Sequence, residues 1–352
     1  VPRIAQGTRA RRWNNRSMPI APSISVIIPC FNRARYLRAC LESLGDIMEE
    51  DWEVIVVDDG STEDIRAVVE SALPSARYIR QENQGAGAAR NTGIMAANGR
   101  YLRFLDSDDC LIAGEGLRLQ AEIMDADPDI GLVYGQAIKV DEGGNPIGVR
   151  RSPWPGGDYV RAGLDEMAKL LFYSYMTTST TLVRRAALET VGAFSADLPT
   201  GEDWELWLRI ARHYKVGYVD TPIAIYRVHA DSITGKKLAK TMLATHTQVL
   251  RELLSDPEVA RRHGKLHPSI RVNLQLRASH MAWISGQNAE SRAYAIDALR
   301  LVLAAHKWGF LAPSLRMLAI SISPLGVTRR LRSLTNGLSF RTSKLPEIIT
   351  RR

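Results

Sequence analysis

The chain has 352 residues, 45% hydrophobic and 24% charged, with a formal net charge of +8. That length and ordinary composition suit one large α/β domain with an appendage, or two globular domains. No window offers the ~18 uncharged apolar residues of a membrane span, and the first residues hold no apolar signal-peptide core. Three scattered cysteines, Cys30, Cys40 and Cys110, argue for a reducing compartment and against a disulfide frame or zinc site.

The charge is unevenly placed. Residues 1–20 hold five Arg and no acid, and residues 314–352 hold eight Lys or Arg against the single acid Glu347, so the body between is mildly acidic. Basic ends of this kind suit peripheral contact with an anionic membrane surface, at about 1 kcal/mol per Lys or Arg. For residues 1–20 a solvated arm reads at least as well. The basic stretches have few aromatics and no base-reading motif, so nucleic acid is not an expected partner.

Residues 1–22 read as a flexible basic arm. Ile24 to Ile28 is a short β-branched run, hence a buried strand. It stops at Pro29, and Asn32 is placed to cap a helix whose core face is Leu37, Leu41 and Leu44. Glu53 to Val57 repeats the plan, with Asp58-Asp59-Gly60-Ser61 as its exit turn and Ser61 with Asp64 fitting a capping box. Strand–helix units in series imply a parallel sheet, and ligands of such sheets bind at the carboxyl ends of strands. A weaker strand, Arg77 to Arg80, precedes Gly85-Ala86-Gly87. Small residues at a helix start let backbone amides approach a phosphate, although close helix–sheet packing explains them equally. Arg90 stands where a dinucleotide fingerprint needs glycine, which disfavours a dinucleotide fold.

Tyr101 to Leu105 makes a fourth strand, opening directly onto Asp106-Ser107-Asp108-Asp109. Three carboxylates within four residues repel one another and call for a cation or full solvation. Asp-x-Asp on extended chain aims both carboxylates into one crevice, and hard cations such as Mg²⁺ or Mn²⁺ take such oxygens together with substrate phosphates. Alone, the stretch reads better as an acidic turn after a strand than as a metal site.

Residues 114–126 are expected to be helical, Ile130 to Val140 a strand, 141–145 a turn and 150–158 an irregular loop. Thr177 to Val183 reads as a strand and 185–191 as a helix. Gly201 precedes a helix whose Trp204, Trp207 and Leu208 share a core face, with Glu202 and Asp203 in its first turn, where acids suit the helix dipole. Val216 to Val219 and Ile223 to Val228 are the last strands and lead to His229. Beyond residue 236 the pattern is helical. Gly286, Ala293, Ala298 and Leu299 resemble one tetratricopeptide-like unit without a second copy, and residues 314–334 are weakly amphipathic, interrupted at Pro324.

Together the blocks Ser25 to Asn32, Val56 to Ser61, Asn83 to Gly93, Phe104 to Asp109 and Gly201 to Arg209 resemble inverting nucleotide-sugar glycosyltransferases of family 2. The resemblance covers residues 24–229 in the family's order. It implies an α/β fold of GT-A type: a Rossmann-like nucleotide-sugar-binding domain over 23–235, with a mixed, largely parallel sheet, followed by an α-helical region over 236–352. Pro29, Cys30 and Phe31 would lie beside the nucleobase, with Asn32, Asp58, Asp59, Arg90, Asp106, Ser107 and Glu202 completing the donor site. Asp108 and His229 would hold Mn²⁺ or Mg²⁺, and Asp203 would be the catalytic base. The expected partners are a nucleotide-sugar donor, UDP-linked in the first place, and a glycan or lipid-linked acceptor. The expected location is the cytoplasm, at the inner face of the plasma membrane. Two departures stand out: no Pro follows the Asp-x-Asp within Cys110 to Glu115, and the Gln-x-x-Arg-Trp motif of processive synthases is missing. The rival readings are a sugar-nucleotidyltransferase, which would want a basic Gly-rich loop after the first strand, and a non-catalytic nucleotide-sugar-binding module.

Overall fold

The computed structural model describes residues 23–45, 47, 51–154, 156–229 and 239–322. The expected N-terminal arm and most of the basic C-terminal tail lie outside the described residues.

Strands β1 (Ile24–Cys30), β2 (Trp52–Asp58), β3 (Arg77–Arg80) and β4 (Tyr101–Phe104) alternate with helices α1 (Ala34–Gly45), α2 (Ile65–Ala72) and α3 (Ala86–Ala96). They pair in parallel, in the order β3-β2-β1-β4. β1 and β2 are mostly apolar on both faces because both faces are covered; β4 buries Arg103, which donates to Gln120, and the outer strand β3 leaves Arg77 and Arg80 exposed. Val26 and Ile28 point into one layer with α1, α2 and α4 (Glu115–Ala126), while Ile27 points into the other with α3. This register brings the carboxyl ends of β1, β2 and β4 to one edge.

The second half makes the sheet mixed. A two-residue strand, β5 (Cys110–Leu111), precedes β6 (Ile130–Val140), whose edge pairs with β7 (Pro146–Arg150); β8 (Tyr159–Arg161), α5 (Gly163–Leu170), β9 (Leu182–Arg184), α6 (Arg185–Val191), α7 (Glu202–His213) and β10 (Lys215–Arg227) follow. β9 runs antiparallel between β4 and β6, and β6 is parallel to β10.

Several expectations change. Thr177 to Val183 is mostly not strand: Thr178–Thr180 is a 3₁₀ turn, and only Leu182 and Val183 enter the sheet. The Thr180 and Thr181 hydroxyls donate to the carbonyls of Thr177 and Thr178 at 2.8 and 2.7 Å, local bonds that compete with a ladder. The last two strands are one, β10, whose register slips on either side of Pro222, a residue with no N–H to give. β7 and β8, which bracket the 151–158 loop, were not anticipated.

Helices α8 (Ala239–Ser255), α9 (Pro257–His263), α10 (His267–Ile284), α11 (Asn288–Ala304) and α12 (Leu311–Ile322) complete the described chain. They are not a detached appendage. Val249, Leu250, Val259, Ile270 and Leu274 join the same buried cluster as Trp204, Trp207 and Leu208 of α7. Only α10–α12 build a smaller core of their own, around Val272, Trp283, Ala298 and Met317. No described helix is long and apolar enough to cross a membrane.

Candidate active site

The exits of β1 and β2 are stitched to each other. Asn32 takes a left-handed backbone, φ 51°. Its N–H donates to Ser61 Oγ at 2.9 Å, and its Oδ1 accepts from the Thr62 N–H at 2.8 Å. It therefore joins two strand ends and does not cap α1, whose Ala34 N–H donates instead to Glu63 Oε2 at 2.7 Å. Nor does Ser61 cap α2; Asp64 does, accepting from the Ala67 N–H at 3.1 Å. Phe31 projects with 46% exposure, whereas Cys30 is buried and burial pushes its thiol up to about 12, so it stays neutral.

Asp58 and Asp59 divide their roles. Asp58 is fully buried and accepts from Ser61 N–H, Tyr78 Oη and Arg80 at 2.8, 2.7 and 2.6 Å. Burial pushes its carboxyl up, and the bonds from Ser61 and Tyr78 with the charge of Arg80 outweigh that and hold it below the usual range. Asp59 turns inward, holding Gln81 and the backbone N–H groups of Gln84 and Gly85 at 2.8, 2.9 and 2.8 Å. It shapes the loop before α3.

At the end of β4 the three acidic residues separate. Asp106 Oδ1 accepts from Arg90 at 2.7 Å, and the same guanidinium donates to Glu202 Oε1 at 2.7 Å. Burial alone would lower the pKa of Arg90; Asp106 and Glu202 reverse that and keep it charged. The Phe194 ring lies under the guanidinium at 5.2 Å. Asp108 Oδ2 stands 2.9 Å from His229 Nε2, whose ring stacks on Tyr36 at 4.7 Å. Ser107 is buried beside them. Asp109 is also buried, accepting from Ser179 Oγ at 2.6 Å and from the Arg227 N–H at 3.0 Å; it braces the β4 exit against β10.

Asp203 enters from α7. Gly201, in the left-handed region at φ 77°, starts the helix. Asp203 Oδ1 accepts from the Trp204 N–H at 2.6 Å and Oδ2 from the Thr178 hydroxyl at 3.0 Å. Desolvation first, and then the charge of Glu202, push its carboxyl up to about 6, against the opposing pull of Arg90. Trp204 is fixed from below by its Nε1–H to Leu170 O at 2.7 Å and by the His246 ring at 4.2 Å. The β4 exit and the start of α7 thus bring together a guanidinium-clamped carboxylate pair, a carboxylate–imidazole pair and a carboxylate pushed up to about 6.

The family model described as "Glycosyl transferase family 2" matches residues 25–192. The "Putative glycosyltransferase EpsH" of Bacillus subtilis is 30% identical over 245 residues, 64% of this chain and 67% of that protein. The chain belongs to glycosyl transferase family 2.

The chain is also 29% identical over 237 residues to Escherichia coli chondroitin synthase, covering 66% of the chain and 33% of that protein. It is 28% identical over 214 residues to an uncharacterized glycosyltransferase of Rickettsia bellii, covering 60% of the chain and 29% of that protein. The chain therefore spans about a third of the length of these two relatives. Among solved structures, S. aureus TarS 1-349 in complex with UDP-GlcNAc superposes with a TM-score of 0.54 at 20% identity, over 82% of this chain and 92% of that one. The mannosyltransferase PcManGT from Pyrobaculum calidifontis, in complex with GDP-Man and Mn²⁺, gives 0.52 at 18% identity, over 90% and 88%. These likenesses show the GT-A fold. Asp203 and His229 lie beyond the stretch that the family model matches.

Among the described residues of the chain, no group of three or more His, Cys, Asp or Glu side chains could hold a metal ion. Asp108 and His229 are nonetheless 2.9 Å apart, one oxygen and one nitrogen donor. Two protein donors fit a cation that takes its remaining ligands from substrate phosphates and water. Sequence reading missed Thr178, Ser179, Tyr36 and His246. The first two sit in the segment that reads as a strand, and the last two carry no motif, so only their neighbours reveal them.

Proposed function

We propose that this glycosyltransferase moves a sugar from a nucleotide-diphosphate sugar, UDP-linked in the first place, to a hydroxyl of a glycan or lipid-linked acceptor. The anomeric centre inverts, and the setting is surface polysaccharide or glycoconjugate synthesis. The observation that carries the reading is Arg90, which ties Asp106 of the donor-side strand to Glu202, the neighbour of Asp203, through two 2.7 Å contacts. It couples the donor half of the cleft to the base. Residues 23–235 would form the donor-binding unit, and 236–352 the helical region that backs it.

Phe31 offers an exposed ring to the base, and Asp58 holds the adjoining turn with Asn32 through Ser61 and Thr62. Asp106 and Ser107 line the ribose side. Asp203, ionised above about 6, takes the proton of the attacking hydroxyl through Oδ1 or Oδ2, a contribution of about 10²–10⁴ in rate. Thr178 and the Trp204 N–H aim it. A divalent cation on Asp108 and His229 would supply charge stabilisation to the departing diphosphate. The solved neighbours in complex with UDP-GlcNAc and with GDP-Man and Mn²⁺ support a nucleotide-sugar donor and a divalent ion. The nucleotidyltransferase reading is disfavoured because Pro29-Cys30-Phe31-Asn32 offers no basic glycine loop, and the non-catalytic reading because Asp108 and Asp203 are both in place.

A thermal-shift screen of UDP-, GDP- and dTDP-sugars with Mn²⁺, followed by assay of nucleoside diphosphate release, tests the reading. One nucleotide should protect in a metal-dependent way, and Asp108→Ala should remove that protection. Equal protection by all three nucleotides without metal sinks it.

A further inference from the structure

The segment from Leu170 to Thr178 leads from α5 to the base and is held at four points. Leu170 O accepts from Trp204 at 2.7 Å; Phe172 O accepts from Asn273 at 2.6 Å and from Arg277 at 3.2 Å; Ser174 O accepts from Arg150; Thr178 donates to Asp203 at 3.0 Å. Two guanidiniums thus rest on carbonyls two residues apart, within ~7 Å along the chain. A third cation joins them. In the β6–β7 ladder Ala137 faces Arg150, and Lys139 lies two residues further along β6 on the same side, diagonal to Arg150.

The cluster is not neutralised. None of Lys139, Arg150 and Arg277 has an ion-pair partner among the described residues. Burial and the charge of Arg150 push Lys139 down, and burial and the same charge push Arg277 down to about 10. No described carboxylate acts on either group. Arg277 also bears on buried His246, whose ring packs at a tilt against Trp204 next to Asp203, and desolvation there is reinforced by the arginine and relieved by no acid. Half-buried like charges held together without a counter-charge are costly unless an anion completes them.

We propose that Lys139, Arg150 and Arg277 form an acceptor subsite for a phosphate group, so that the molecule offering its hydroxyl to Asp203 is phosphate-bearing. The inference rests on the proposed transfer and names its acceptor class. Phosphate fits better than carboxylate. It brings up to two charges and three terminal oxygens to two planar forks and one point charge, where a carboxylate brings one charge and two oxygens. The subsite lies at the far end of the segment that carries Thr178, so an anchored phosphate would hold a neighbouring hydroxyl near the base.

The test is calorimetric titration of the full chain with glycerol 3-phosphate, under saturating UDP and Mn²⁺ so that the donor's own phosphate positions are filled. Glycerol 3-phosphate should bind, and glycerol and glucuronate should not. Lys139→Glu should weaken binding at least about tenfold, as expected for loss of one charge-assisted contact and gain of a repulsive one. The melting temperature and UDP affinity should hold. The Lys139 side chain makes no hydrogen bond among the described residues, and Lys139→Gln carries the same comparison if the reversal melts early. Unchanged binding in both variants overturns the subsite, and equal binding of glucuronate overturns the phosphate assignment. Failure of UDP to bind sinks the donor reading separately, because the comparison of wild type with Lys139 variants stands without it.

Discussion

Asp203→Asn keeps the shape of the side chain and removes its charge. The native carboxyl is pushed up to about 6 from an ordinary value of 3.8, so the folded chain holds that proton more tightly than the unfolded one. Ionisation therefore costs the native state nothing below about pH 3.8, a growing amount as the pH climbs towards 6, and its full amount above. Two units correspond to about 3 kcal/mol, and because the side chain keeps a partly exposed rim, screening leaves about 1–2 kcal/mol. Asn returns that amount. Its Oδ1 still accepts from the Trp204 N–H, and the Thr178 hydroxyl can turn to accept from the amide. The variant should be more stable than the parent in urea unfolding at pH 7–8 and equal to it near pH 4. It should also bind UDP normally and lose about 10²–10⁴ in transfer rate. A variant no more stable at pH 8, or one retaining transfer within tenfold, refutes the assignment of a desolvated base.

Thr178→Val removes the hydroxyl that stabilises the ionised base, so the acid limb of kcat/KM, expected near 6 in the parent, should move to higher pH; an unmoved limb detaches Asp203 from catalysis. Arg90→Leu leaves Asp106 and Glu202 facing each other without their shared cation and should cost about 3 kcal/mol, read by chemical denaturation, together with most activity. Asp58→Asn should cost about 1.5–3 kcal/mol at neutral pH, since it weakens the bonds from Arg80, Tyr78 and Ser61. The native carboxyl sits below its ordinary value, so this stability is full above about 4 and lost as pH falls through the lowered value; the gap between parent and variant should close in acid. Gly163→Ala would put a Cβ 1.9 Å from Ala211 O and 2.1 Å from Tyr214 O, forcing α5 off α7, and should destabilise by 3 kcal/mol or more, roughly, in the same assay.

The strands Ile24 to Ile28 and Glu53 to Val57 were legible because both faces of a central parallel strand are covered, which leaves a β-branched run in each; Tyr101 to Leu105 was legible as a mostly apolar run, although the fully buried Arg103 interrupts it. Asp106, Asp108 and the pair Glu202-Asp203 were legible as acids at strand and helix ends. Asn32 misled, because a cap signature counts only local neighbours, and its true partners, Ser61 and Thr62, come from the next unit. The Thr-rich run misled as well: the Thr180 and Thr181 hydroxyls turn to the carbonyls of Thr177 and Thr178, and those of Thr178 and Ser179 to Asp203 and Asp109, which come from distant elements.

By itself the order of residues determines the parallel α/β first half of the sheet, with acids at the carboxyl ends of its strands, since period, apolar runs and turn residues are local quantities. Tertiary structure alone decides which acid does what. Asp59 and Asp109 are spent on bracing, Asp106 is clamped by Arg90, Asp108 faces His229, and Asp203 is lifted towards neutrality. Those fates depend on desolvation and on partners brought from as far as 121 residues away. Coulomb energy and burial are set by distance in space, and spacing along the chain does not encode them.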